Sequence, residues 1–142
     1  MISVSHIHPM LVHFPIALIL IGFIADFASL VFKKEACLSK TGFYLLIVGT
    51  LSAVFALLAG VLFTSDMSGA AGEVKATHEL FAWITLGLLF LTSVIRIFLV
   101  VKKREHSDLK WLAFALYGLG AISVGITGFF GGTLVYNYMM PL

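Results

Sequence analysis

Long apolar stretches alternate with short polar segments along the whole chain. The apolar stretches predict four helices, over residues 10–32, 41–63, 77–101 and 111–135. Each is longer than the ~20 residues that an α-helix needs to cross a hydrocarbon core about 30 Å thick. Because short connections favour antiparallel packing of consecutive helices, the pattern predicts an all-α, up-down-up-down transmembrane bundle. The single predicted domain covers residues 1–142.

Composition agrees with a lipid environment and excludes several classes of protein. Apolar residues make up 61% of the chain and charged residues 11%, whereas soluble proteins have roughly half and about a quarter. The single cysteine, Cys37, excludes a disulfide scaffold. A net charge of +2 provides no surface for tracking phosphates. We therefore expect the lipid bilayer as a partner and no nucleic acid.

The distribution of basic residues predicts the orientation of the bundle. Lys75 is the only Lys or Arg in the N-terminus, the middle loop and the C-terminal tail. Cytoplasmic loops carry the excess of Lys and Arg in membrane proteins. We therefore predict that both termini lie on the periplasmic side of a bacterial inner membrane. The residues that define the cytoplasmic side are Lys33, Lys34, Lys40, Lys102, Lys103, Arg104 and Lys110.

Two charged residues fall inside the hydrocarbon part of the predicted spans. Asp26 lies seven residues before Lys33 and Arg96 lies six before Lys102. At ~1.5 Å of rise per residue, both lie roughly 10 Å from the basic boundary. Because an unpaired charge at that depth costs several kcal/mol, we predict an ion pair between Asp26 and Arg96. We favour a structural role for this pair over a role in proton transfer.

Small residues recur at helical spacing in the second and fourth predicted helices. Such seams let helix backbones approach closely. They also leave clearance for a flat cofactor such as a porphyrin, and spacing alone does not separate the two interpretations. The residues in the second helix are Gly49, Ala53, Ala56 and Gly60. In the fourth helix, the candidates for contact with a cofactor are Gly125, Gly128 and Gly132.

Four of the five histidines fall at one end of the predicted bundle. His6, His8 and His13 surround the start of the first helix, and His78 lies at the start of the third. Pro15 lacks a backbone N–H, so either the first helix kinks beside His13 or regular helix begins only at Pro15. Since helices 1 and 3 run in the same direction, these histidines should share one membrane face.

The histidine cluster has several interpretations that the residues leave open. One is a single b-type haem with His13 or His8 and His78 as axial ligands. A second is a copper, zinc or iron site that uses imidazoles and either Glu79 or Met10. A third is a proton or quinone site without metal. The fourth is structural, with the imidazoles bonded to loop carbonyls. The candidate metal ligands are His6, His8, His13 and His78. The sequence shows no internal repeat of useful strength.

Three sequence features are similar to a known family. They are residues 8–18 (HPMLVHFPIAL), His78 at the head of the third helix and residues 131–136 (GGTLVY). Together they resemble the uncharacterised bacterial membrane family catalogued as domain of unknown function 2231. The resemblance implies a compact four-helix domain of the inner membrane. It also implies electron transfer, because similar domains are joined to Rieske-type or c-type cytochrome modules. No such module is present here, so a redox partner is expected to be a separate protein.

These observations favour a redox subunit that binds one b-type haem near the periplasmic face. His13 and His78 are the preferred ligands, with His8 as the substitute for His13. Electrons would pass between a quinol or membrane partner and a periplasmic or membrane electron-transfer protein. The alternatives are a non-catalytic structural or assembly subunit of a larger complex and a protein that handles copper, zinc or iron. Association into a homo-oligomer is compatible with each of them.

Overall fold

Helices account for nearly all of the described chain. The computed structural model describes residues 7–104 and 107–138. Within these residues there is no β-strand, which confirms the all-α prediction. The first predicted helix is interrupted at Val12, and so the four spans comprise five helices. The helices are α1 (Ile7–Leu11), α2 (His13–Val31), α3 (Ala36–Phe63), α4 (Gly69–Val101) and α5 (Leu109–Asn137).

The four spans have the length and surface of membrane helices. They are 25, 28, 33 and 29 residues long. Large apolar side chains cover the outside of the bundle, and Phe14, Phe55 and Phe129 are examples that are more than half exposed. A soluble bundle would turn such residues inward, because water disfavours exposed apolar surface. The outside of this bundle is therefore suited to contact lipid.

Two helices begin earlier than hydropathy predicts. The second span begins at Ala36 instead of residue 41, and the third begins at Gly69 instead of residue 77. Residues 69–79 contain polar helix formers, and Lys75 forms an (i, i+4) ion pair with Glu79 at 3.4 Å. Hydropathy detects only the apolar part of a span. The polar first turns of α4 therefore lay outside the predicted helix.

The interruption between α1 and α2 follows from Pro15. Backbone bonds continue on either side, since Val12 N donates to His8 O at 3.1 Å and Ile16 N to Val12 O at 3.4 Å. Pro15 has no N–H to donate to the preceding turn. Regular helix resumes at His13 and not at Pro15. The sequence allowed a kink beside His13 or a helix start at Pro15, and in the structure the break lies at Val12, next to His13.

The bundle consists of two helix hairpins. The first span packs mainly on α3, and α4 packs mainly on α5. The hairpins meet where α2 contacts α5 and where α3 contacts α4. At mid-depth, four fully buried side chains form the centre of the core: Ile19, Leu46, Leu89 and Tyr117. This core separates two ends of the bundle. The histidine end contains α1, the N-terminus of α4 and the C-terminus of α5, and the basic end contains the loops after α2 and α4.

Candidate functional site

A cavity of about 590 Å³ lies among the helices at the histidine end. All four spans contribute to its lining, which is mostly apolar. Polar side chains are a minority of the lining, and the three charged ones lie together at its rim. At that rim, Lys75 Nζ lies 3.5 Å from Asp66 and 3.4 Å from Glu79. The polar or ionisable side chains of the lining are His8, His13, Thr64, Asp66, Lys75, His78, Glu79, Thr85, Thr127 and Tyr136.

His8 is held by the second helix of its own hairpin. Its Nδ1 lies 2.8 Å from the carbonyl oxygen of Ala56. Since a carbonyl only accepts hydrogen bonds, Nδ1 carries the proton. One turn further along α3 is Gly60, where an added Cβ would lie 2.9 Å from Cε1 of the ring. The imidazole therefore fits against α3 because residue 60 has no side chain.

His78 is held in the same way by α5. Its Nδ1 donates to the carbonyl oxygen of Thr127 across 2.9 Å. A Cβ at Gly131 would lie 3.1 Å from Cε1 of His78. Each imidazole is thus fixed by one backbone carbonyl and by one glycine a turn later.

The two imidazoles lie next to each other across the bundle. Their ring centres are 6.1 Å apart and their planes are inclined at 84°. A neutral imidazole that donates from Nδ1 keeps an unshared electron pair on Nε2. Within residues 7–104 and 107–138, no protein group forms a hydrogen bond with either Nε2. Metal-bound histidines commonly have this arrangement, with the other ring nitrogen donating to a carbonyl or carboxylate.

Hydroxyl groups support the α4–α5 hairpin beneath His78. Thr85 Oγ1 lies 2.7 Å from Ser123 Oγ and 3.3 Å from Thr127 Oγ1. Thr127 Oγ1 also donates to the carbonyl of Ser123 at 2.8 Å. These bonds join the two helices beside the carbonyl that holds His78, and so they help to define the position of the ring.

The other candidate ligands have different surroundings. His13 is exposed at the edge of the cavity, and its Nδ1 donates to the carbonyl of Pro9 in the preceding turn at 2.7 Å. Met10 is 60% exposed, and Glu79 pairs with Lys75. His6 lies outside the described residues. Among the residues that are described, no three His, Cys, Asp or Glu side chains come together in a group able to hold a metal ion.

The glycines predicted to contact a cofactor also differ from one another. Gly128 and Gly132 line the cavity. A Cβ at Gly128 would lie 3.1 Å from Ile16 Cδ1, whereas Gly132 has open space around it. Gly125 is exposed and lies outside the cavity lining. The glycines beside the rings are Gly60 and Gly131. Gly60 belongs to the predicted seam of the second helix, whereas Gly131 was not predicted, because it lies one position away from the small-residue seam of the fourth helix.

The basic end holds the two charges that the sequence places inside the spans. Arg96 Nη1 donates to Asp26 Oδ2 at 2.7 Å, and Nη2 donates to Oδ1 at 3.1 Å. Nη2 also lies 3.4 Å from the carbonyl of Ser39. Both side chains are buried. The guanidinium and the carboxylate therefore satisfy each other, and the central core lies between them and the cavity.

Comparison with known proteins identifies the family. A family model described as "Predicted membrane protein (DUF2231)" matches residues 5–141. The chain therefore belongs to this family, as the motifs in its sequence suggest. No curated protein and no solved structure matches the chain.

Proposed function

We propose that this protein binds one b-type haem at the histidine end, where His8 and His78 would hold it, and serves as a membrane electron-transfer subunit. The observation that carries this proposal is the pair of imidazoles 6.1 Å apart, each held through Nδ1 by a backbone carbonyl. His8 replaces His13 as the preferred ligand of the first span, because His13 is exposed and bonded to its own helix.

The spacing of the rings fits a metal centre that binds both of them. Two metal–nitrogen bonds of about 2 Å, together with the radius of each ring, bring imidazole centres about 6 Å apart. A quinone ring hydrogen-bonded between two imidazoles would need a wider separation. Because the described residues contain no group of three side-chain ligands, a centre that takes only two ligands from the protein fits best.

The cavity fits a large apolar ligand. Its volume of about 590 Å³ lies within the ~300–1,000 Å³ typical of ligand pockets. Because Gly60 and Gly131 have no side chains, the rings of His8 and His78 lie close against α3 and α5. The apolar lining would exclude water from a bound macrocycle, and solvent exposure is one of the factors that set a haem potential. When bound, the haem would supply reversible one-electron chemistry.

The rim and the core support access from one end only. The charged residues Asp66, Lys75 and Glu79 lie at the rim, where a soluble partner can approach. Toward the other end, four fully buried side chains close the bundle. With the basic end in the cytoplasm, the histidine end faces the periplasm. We propose that a quinol or membrane protein donates electrons there and that an outer electron-transfer protein accepts them.

The proposal is tested with the purified full-length protein. We expect a Soret band, with sharpened α and β bands after reduction, either as isolated or after addition of haem. His8→Ala and His78→Ala should each abolish the low-spin spectrum, while His13→Ala should retain it. A colourless protein that takes up no added haem with this spectrum would contradict the proposal.

A structural role is the second candidate, because the same two bonds also join helices. His8 links the first span to α3, and His78 links α4 to α5. If that is their only role, His8→Ala and His78→Ala should lower the unfolding temperature of a protein that binds no haem.

A further inference from the structure

The two histidines are parts of a pattern that occurs twice. In each hairpin, a histidine in the N-terminal third of the first span donates to a carbonyl of the second helix, and a glycine one turn later lies against the ring. The similarity includes the donor atom, the type of acceptor and the position of the glycine. The two sets are His8, Ala56 and Gly60, and His78, Thr127 and Gly131.

The pattern continues into the core. Ile19 and Leu89 are both fully buried, and each lies against a glycine of the next helix. A Cβ at Gly49 would lie 2.5 Å from Ile19 Cδ1, and one at Gly120 would lie 2.8 Å from Leu89 Cδ2. These contacts occur at the same distance along each hairpin from the histidine.

The residue numbers show that these positions correspond. Asp26 and Arg96 are separated by 70 residues, and the same separation relates His8 to His78 and Ile19 to Leu89. In α3 and α5 the offset is one residue longer. Every buried position of α2 corresponds to a buried position of α4 at this offset, and α4 has two further buried residues, Ser93 and Leu99. The corresponding positions are Pro15, Ile19, Gly22 and Asp26 in α2, and Thr85, Leu89, Thr92 and Arg96 in α4.

We propose that residues 7–63 and 69–137 are two equivalent units around an approximate twofold axis along the bundle, and that they form one ligand site from two equivalent half-sites. Each half-site comprises a histidine, a carbonyl and a glycine. The occupant is a metal centre that takes one imidazole nitrogen from each unit, which rests on the proposed function. Gly60 and Gly131 are positioning residues. Parallel repeats related by an axis along the membrane normal occur in other membrane proteins.

The ion pair occupies the same axis at the other end. Asp26 and Arg96 stand at equivalent positions but carry opposite charges. Arg96 reaches the carbonyl of Ser39 at the start of α3. The equivalent position in α5 is Lys110, so an arginine at position 26 would have a corresponding carbonyl to approach. Equivalence therefore predicts that the two charged residues can be exchanged.

The first experiment exchanges these charges and needs no ligand. Asp26→Arg and Arg96→Asp alone place like charges together and should lower the unfolding temperature in detergent or prevent folding. The double variant Asp26→Arg/Arg96→Asp should restore a folded protein with an unfolding temperature close to that of the wild type. A double variant no more stable than the worse single variant would overturn the equivalence of the units. The outcome is independent of whether the protein binds haem.

The second experiment tests the half-sites with glycine variants. Gly60→Ala and Gly131→Ala should each weaken haem binding by about ten-fold or more, because residues that orient a ligating histidine have effects of that size. Gly87→Ala is the matched control, because Gly87 lies outside the cavity lining and has open space around the added methyl group, and it should bind haem as the wild type does. Loss of binding in only one of the two test variants, or in neither, would contradict equivalent half-sites.

Nitrogen-15 spectra of labelled histidine provide a readout in the haem-free protein. The imidazoles of His8 and His78 should show the tautomer protonated at Nδ1, and so should His13, whose signal is identified by its loss in His13→Ala. Gly60→Ala should shift the signal of His8 and Gly131→Ala that of His78, while Gly87→Ala should shift neither. If these shifts occur but no haem binds, the half-sites exist and only the proposed occupant is wrong. Absence of both shifts would contradict the half-sites themselves.

Discussion

The two ends of the bundle use buried polar groups differently. At the basic end, Asp26 and Arg96 form two hydrogen bonds with each other, and the guanidinium also approaches the carbonyl of Ser39. At the histidine end, His8 and His78 each form one hydrogen bond through Nδ1. Their Nε2 atoms have no hydrogen-bond partner within residues 7–104 and 107–138. The charged groups of Asp26 and Arg96 are therefore paired within the protein, whereas each imidazole of the histidine end has one ring nitrogen bonded and the other available.

Burial explains why the two ends differ in what they can do. Asp26 is 4% exposed and Arg96 is 7% exposed, so neither can exchange its partner for water. A buried ion pair adds little net stability, but loss of one partner leaves an uncompensated charge. The histidines are only partly buried and border a cavity of about 590 Å³. We infer that the basic end contributes architecture and that the histidine end is available for a ligand.

The largest effect should come from breaking the ion pair. Asp26→Asn leaves the buried guanidinium without a counter-charge and should reduce the free energy of unfolding by about 3 kcal/mol. Denaturant unfolding in detergent micelles measures this loss. The control is Asp66→Asn, because Asp66 is fully exposed at the rim and should tolerate the change. Equal stability of the two variants would show that the ends do not differ as described.

A smaller effect is expected from the hydroxyl network beneath His78. Thr85→Val removes the bonds to Ser123 and Thr127 and should cost about 1 kcal/mol, the usual contribution of a buried hydrogen bond. It should also broaden the histidine nitrogen signal of His78, because the Thr127 carbonyl loses support. Thr133→Val is the control, since Thr133 bonds only to its own helix and is exposed there. A Thr85→Val variant with wild-type stability would show that these hydroxyl bonds do not stabilise the site.

The smallest effect should occur at His13. His13→Ala removes an exposed bond within one helix and should change the free energy of unfolding by less than about 0.5 kcal/mol. Haem uptake should be unchanged, and the absorption spectrum measures it directly. If haem binding is lost in His13→Ala and kept in His8→Ala, the preferred ligand of the first span is His13.

Several features of the fold could be predicted because hydropathy and helical spacing are local properties. The four spans, the shared end of the histidines and the matching depths of Asp26 and Arg96 follow from positions along the chain. The helix starts at Ala36 and Gly69 could not be found in this way, because the polar turns there carry no hydropathy signal. The proposed equivalence of the two halves could not be found in the sequence, because the halves agree in burial and contacts but share few identical residues.

The amino-acid sequence alone determined that the chain lies in lipid, that it crosses four times and that its histidines gather at one end. Composition and periodicity are sufficient for these conclusions, because each depends on residues close together in sequence. Only the tertiary structure decided that His8, and not His13, lies beside His78. Carbonyls and glycines of distant helices hold the two rings. The orientation of a side chain toward another helix depends on such packing, which periodicity along one helix does not specify.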